Sequence, residues 1–189
     1  MRVRNILMLS VVPAVLLAAQ PLSEVLTLQP DSKVWVTGTS TVRDYRCTTT
    51  ALQSAVQAPS AAAALPVAQL VQSAVVEVPL AKLDCGNGTM NGHMRKALKV
   101  EQFPSLKYEL KSYTIVGSDI TLQGMLTIAG KALPVEMTGT ITEEGSTVRA
   151  SAKQQIKMTE WGVKPPTLML GTMKVHDPVT IGFDVALQR

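Results

Sequence analysis

From residue 105 onward, apolar and polar side chains alternate. Leu106, Tyr108 and Leu110 interleave with Lys107, Glu109 and Lys111. Ile120, Leu122, Leu126 and Ile128 keep one phase around Gly124, with Thr121, Gln123 and Thr127 in the other. Leu133, Val135, Met137 and Ile141 repeat the pattern, as do Val148, Ala150, Ala152, Ile156 and Met158. The last run sets Val179, Ile181, Phe183, Val185 and Leu187 against Thr180, Gly182, Asp184 and Ala186. A period of two marks strands with one apolar and one wetted face. The connections Val116-Gly117-Ser118-Asp119, Ala129-Gly130-Lys131 and Glu143-Glu144-Gly145-Ser146 are short and rich in turn formers, so consecutive strands are antiparallel neighbours. Such runs in series predict an all-β, antiparallel chain that closes into a barrel or packs as a sandwich.

The first half is less regular. Val34 to Gly38, the Thr-rich stretch Thr41 to Thr50, and Val71 to Leu80 read as strands. Between the last two, Ser54 to Gln72 is dominated by Ala, Gln, Val and Pro and reads as a long loop (54–72). Pro59 and Pro66 exclude one continuous helix there, leaving room for a short helical piece around Ala61 to Ala64. Met90, Met94 and Leu98 recur every four residues, with Thr89 as a cap and Phe103-Pro104 ending the excursion. Gly92 weakens this helix by about 1 kcal/mol relative to Ala. It therefore needs a surface to dock on, and the end of a barrel supplies one.

The N-terminus changes the picture of where this sheet works. Arg2 and Arg4 precede an apolar stretch from Ile6 to Leu17, then Ala18 and Ala19, then the polar Gln20-Pro21-Leu22-Ser23. That order reads as a secretory signal peptide over residues 1–20, with the folded domain over 21–189. The apolar run is too short for a stable membrane span. Loss of Arg2 and Arg4 takes the basic residues from 18 to 16 against 14 acidic ones, so +4 becomes +2. What remains is dispersed along the sequence, which argues against nucleic acid as a partner. The remaining roughly 170 residues suit one domain. Cys47 and Cys85 are the only cysteines, and in an oxidising compartment such a pair is most simply a disulfide. A zinc site would require Cys47, Cys85, His93 and His176 to converge without the close paired spacing such sites use, so no metal is expected.

Candidate chemistry is sparse. Gly86-Asn87-Gly88 lacks the Lys-Ser/Thr of a phosphate loop, and no Gly-x-Ser-x-Gly elbow accompanies His93 or His176. His176-Asp177-Pro178 reads as a turn before the last strand, and Asn87-Gly88-Thr89 as an exposed loop with a formal glycosylation pattern. No cofactor is called for, and the chain does not read as an enzyme. The inward phase of a barrel is either filled core or a ligand cavity, and about eight strands is the size at which one ligand fits. If the barrel is hollow, Tyr108, Leu110, Leu126, Val135, Ile156 and Phe183 share one cavity. Trp161, in Thr159-Glu160-Trp161-Gly162-Val163-Lys164-Pro165-Pro166, reads as an exposed rim or lid position.

Several stretches together resemble the YceI-like family. Met90-Asn91-Gly92-His93-Met94-Arg95-Lys96-Ala97-Leu98-Lys99 is similar to its short helix, followed by Phe103-Pro104 and a strand from Ser105 to Leu110. Gly124-Met125-Leu126-Thr127-Ile128-Ala129-Gly130-Lys131, then Pro134-Val135, resembles its central hairpin. Gly38-Thr39-Ser40-Thr41-Val42-Arg43-Asp44-Tyr45 is similar to a subgroup in which a cysteine follows, as Cys47 does, and Trp161-Gly162 falls at an aromatic-Gly pair. The resemblance spans about residues 31–187, with the Ala/Gln-rich segment and His93-Met94 as departures. It implies a lipocalin-like, up-and-down barrel of about eight strands with one short helix closing an end. It further implies an exported bacterial protein, periplasmic or secreted, that holds a polyisoprenoid or isoprenoid-tailed lipid. The competing expectation is a ligand-free envelope scaffold or stress protein acting through protein contacts; a homodimer is compatible with either.

Overall fold

The computed structural model describes residues 24–60, 64–168 and 171–188. The signal-peptide reading and most of the helical piece expected near Ala61 to Ala64 lie outside these residues. The strands are β1 (Glu24–Leu28), β2 (Lys33–Ser40), β3 (Tyr45–Thr49), β4 (Gln53–Ala58), β5 (Ser73–Pro79), β6 (Ser105–Val116), β7 (Asp119–Ile128), β8 (Lys131–Glu144), β9 (Thr147–Lys157), β10 (Thr167–Leu168) and β11 (Met173–Gln188). Among the described residues one α-helix, α1 (Gly88–Ala97), lies between β5 and β6. All ladder pairings are antiparallel. β1 and β2 run in succession along one edge of β11 while β9 runs along the other, so the sheet closes into an eight-stave up-and-down barrel.

Two of the staves are broken strands. β1 and β2 form one, interrupted at residues 29–32, where the buried Ser32 hydroxyl accepts from the Ala186 amide at 3.0 Å and donates to its carbonyl at 3.4 Å. The backbone groups of β11 thus stay satisfied across the break. β3 and β4 form the other. β4 pairs with β1 and β5, so the loop expected from Ser54 begins only after Ala58. Its Ala and Gln residues hide the strand because most of it is exposed, with Val56 and Ala58 alone buried. β1 was likewise not expected from the pattern.

Further differences from the sequence reading have local causes. The strand expected from Thr41 starts at Tyr45. Residues 41–44 instead form a turn in which Ser40 Oγ accepts from the Val42 and Arg43 amides at 3.2 and 3.1 Å. The helix is capped by Asn87, whose side chain accepts from the Met90 amide at 3.0 Å, and not by Thr89. His176-Asp177-Pro178 is not a turn before a strand but part of β11, where its register with β2 shifts between Val175 and Val179. In β6, Lys111 is skipped in the ladder between Leu110 and Ser112. This bulge flips the phase, so Tyr113 and Ile115 continue the apolar row begun by Leu106, Tyr108 and Leu110. The β7–β8 hairpin matches its expectation: Ala129 and Gly130 both have positive φ, 48° and 79°, the combination a two-residue primed turn needs.

Among the described residues β3 forms no ladder with β5; an isolated bridge, Thr48 to Asp84, and the Cys47–Cys85 disulfide beside it join it to that side of the barrel. The disulfide expectation is met, with a sequence separation of 38 residues. Cys47 is 2% exposed and packs with Leu80 and Leu83, while Met94 of α1 brings its Sδ to 3.7 Å from Cys85 Sγ. The crosslink therefore closes a gap in the wall and carries the helix. Replacing both cysteines by serine should lower unfolding stability by about 3–4 kcal/mol, the chain-entropy value for a loop of this size. Chemical denaturation of the double variant beside the oxidised protein measures the loss; equal midpoints would contradict a structural role.

Candidate functional site

The inward phase of the staves does not fill the barrel. An inner chamber of about 190 Å³ lies among residues such as Val56, Leu70, Tyr108, Leu122 and Phe183. An outer chamber of about 630 Å³ lies under α1, bounded by Met90, Met94, Ala97, Ile156 and the Cys47–Cys85 disulfide. Val36, Leu83, Leu106, Ile128 and Ile181 line both, so the two adjoin. The exposed Arg43, Asn87 and Thr89 are among the outer chamber's lining, so it reaches the surface beside the helix. A third depression, about 1050 Å³, is on the outer face among Thr37, Thr39, Arg46, Gln155 and Thr180. There Thr39 Oγ1 and His176 Nδ1 are 2.7 Å apart, and hydrogen bonds from Thr159 hold the Asp177 carboxyl below the usual carboxylate range.

The structure divides the expected cavity residues. Tyr108, Leu110, Leu126 and Phe183 line the inner chamber; Ile156 and Trp161 line the outer one. Val135 lines neither and is 9% exposed in a packed cluster with Leu126, Ile156 and Val163. Trp161 is not an exposed rim residue. It is 3% exposed, and its Nε1 donates to the Leu126 carbonyl at 3.0 Å. The turn carrying it is folded inward by Gly162, whose φ of 74° lets the chain reverse directly after the indole. Sequence reading missed that the disulfide itself forms part of the wall, and that Met90 and Met94 face the cavity, although their four-residue spacing was visible.

A model of the YceI-like domain matches residues 29–187. The chain belongs to the YceI-like family. Solved structures agree in fold. BcnA from Burkholderia cenocepacia is 20% identical with a TM-score of 0.70, over 85% of this chain and 99% of that one. A polyisoprenoid-binding domain from Saccharophagus degradans, implicated in plant cell wall breakdown, is 11% identical with a TM-score of 0.63, over 89% and 99%. The YceI protein of Campylobacter jejuni is 17% identical with a TM-score of 0.58, over 73% and 81%. No curated protein matches the chain by sequence.

Within this YceI-like barrel, the polar tips of the large aromatic residues are treated unequally. Tyr113 Oη donates to the Val67 carbonyl at 3.2 Å and accepts from the Val71 amide at 3.1 Å, pinning the β4–β5 connection under the inner chamber. Trp35 Nε1 donates to Asp184 Oδ2 at 3.1 Å. Tyr108 Oη is buried with no hydrogen-bond partner among the described residues. Its ring lies over Gly124, where an added Cβ would come within 2.5 Å of the phenol oxygen. Burial pushes the phenol up to about 12, so it stays a neutral hydrogen-bond donor throughout the ordinary pH range.

Trp161→Ala should cost about 3–5 kcal/mol of stability, as for a buried aromatic in a packed setting. Trp161→Phe should cost about 0.5–1.5 kcal/mol, the net worth of the indole hydrogen bond to the Leu126 carbonyl. Chemical denaturation of both variants checks this; a loss below 0.5 kcal/mol, typical of surface positions, would contradict the burial. The phenol gives a pH signature. Because the folded protein holds the Tyr108 proton more tightly than the unfolded chain, that stabilisation is complete below about pH 10, the ordinary tyrosine value. It is lost as pH rises towards 12. Absorbance titration should show a late tyrosinate step that Tyr108→Phe removes.

Proposed function

We propose that the protein is an exported carrier that holds a long apolar molecule, isoprenoid or isoprenoid-tailed, along the two adjoining chambers. The observation that carries this reading is an interior left open and lined by apolar side chains, reaching the surface beside α1. An outer chamber of about 630 Å³ falls in the range of small-molecule sites. An extended tail reaching the inner chamber would gain about 25 cal/mol per Å² of apolar surface removed from water. The polyisoprenoid-binding domain of the same fold supports the choice of ligand class. Tyr108 supplies a neutral donor at the apolar inner chamber, suited to a carbonyl or hydroxyl oxygen on the ligand. The leader pattern and the formed disulfide support action in an oxidising compartment outside the cytoplasm.

Chain length is the discriminating variable. Ala150 lines the inner chamber, and Ala150→Leu adds bulk where space already exists. It should leave stability within about 1.5 kcal/mol and weaken binding of a long-chain polyprenyl quinone at least tenfold, while a short-chain analogue binds as before. Fluorescence quenching of the two tryptophans on titration with each quinone reads both affinities. If neither quinone binds the unmodified protein, the carrier reading fails and a ligand-free scaffold replaces it.

A further inference from the structure

The topology sorts the charges that are dispersed along the sequence. Four connections meet at the mouth of the outer chamber: β2–β3, β5–β6 with α1, β7–β8, and β9–β11. They and the strand ends beside them carry exposed cations, among them Arg43, Arg95, Lys96, Lys99, Lys131 and Lys164. Lys82, Lys157 and Lys174 join them, outnumbering Asp44, Asp84, Glu101, Glu160 and Asp177 at the same end. Two of those acids are already engaged: Asp84 with Asn91 and Asp177 with Thr159. The opposite end is acidic. Its connections β4–β5, β6–β7 and β8–β9 contain no lysine or arginine and are flanked by Asp119, Glu143 and Glu144. Among the described residues, the cation beside them, Arg149, is held by Asp31 and Glu144 at 2.8 and 3.4 Å. None of the mouth cations forms a salt bridge among the described residues; the pairs present lie on the barrel wall or towards the acidic end.

We propose that the mouth end docks on an anionic lipid bilayer. The choice of a bilayer over another anionic surface rests on the carrier reading, since a membrane is where a long apolar tail would be collected or delivered. A basic mouth and an acidic base give the molecule a dipole that turns the mouth towards a negative surface before contact. Val42, 63% exposed at the tip of the β2–β3 turn and followed by Arg43, places an apolar side chain beside a cation where the headgroups would be met. Lys96 in the last turn of α1 and Lys99 just past its end extend the basic surface. Attraction of this kind is worth little per residue, is additive over several residues, and is screened by salt. The dock is therefore reversible, as carriage requires.

The test is co-sedimentation of the exported protein with vesicles of mixed phosphatidylglycerol and phosphatidylcholine, and with vesicles of phosphatidylcholine alone. The protein should bind the mixed vesicles at low salt, leave them at high salt, and ignore the neutral ones. The double variant Lys96→Glu with Lys99→Glu should weaken binding at least about thirtyfold. The charge-matched double variant Lys111→Glu with Lys153→Glu, on the barrel wall, should weaken it no more than about threefold. Equal losses in the two doubles, or no binding to anionic vesicles, would overturn the proposal. So would equally tight, Lys96- and Lys99-dependent binding to duplex DNA, which would mark a general polyanion surface. Quinone uptake from detergent micelles, measured in parallel, separates this claim from the carrier reading: the Lys96/Lys99 variant should take up quinone normally. Absence of uptake in every variant, with the vesicle pattern intact, would remove the carrier and leave the dock.

Discussion

Closure of the ring at β11 is the constraint on which the rest depends. A sheet closes only when its first and last staves pair, and β11 makes that join, with β9 along one edge and β1 and β2 along the other. The seam with β2 is held from outside by Trp35. Its ring lies so close to Gly182 that an added Cβ would come within 2.4 Å, its Nε1 donates to Asp184, and Arg46 stacks over it at 4.5 Å. Gly182 is thus not a weak point in a strand but the place where an indole crosses it. Once the seam is shut, the inward side chains face one another across a space they do not fill, and the chambers follow from the geometry of an eight-stave ring.

The second consequence of closure is a gap. β1 reaches β4 at one end of the barrel, but at the other end β3 meets the continuation of β5 only at Thr48 and Asp84. Backbone pairing alone would leave the outer chamber's wall thin there. The disulfide, Leu80 and Leu83 close it, and the same segment leads into α1 through hydrogen bonds from Asn91 to Asp84 and from the Cys85 amide to Asn91. Wall, lid and crosslink are therefore one assembly, and the mouth opens beside its least rigidly paired part. The structure thus links the disulfide to the cavity and not only to overall stability.

Much of this was legible in the sequence, and what was not has physical causes. The strands after residue 105 announce themselves because one face is buried and the other wet, so the period of two is clean. β4 was hidden because its exposed face is Ala and Gln, which carry little strand signal. The bulge at Lys111 left no trace because a phase flip reads as a shorter strand with an odd continuation. Trp161 misled for a different reason: a Gly- and Pro-rich segment reads as surface, while its indole is drawn inward by the Leu126 carbonyl. Cavity and core residues share the same apolar phase, so Leu126 and Val135 look alike in sequence and only packing tells them apart. The clustering of cations was invisible for a similar reason, since connections far apart in the chain converge only when the barrel closes.

The central claim is that the chambers are occupied by an apolar ligand in the working protein. Native mass spectrometry of the protein purified from the cells that make it tests this without choosing the ligand in advance. The protein should give a population heavier than its polypeptide by the mass of one lipid, which dissociates on collisional activation and is recovered in organic extract. A single species at the polypeptide mass, with no lipid in the extract under the same gentle conditions, would contradict it.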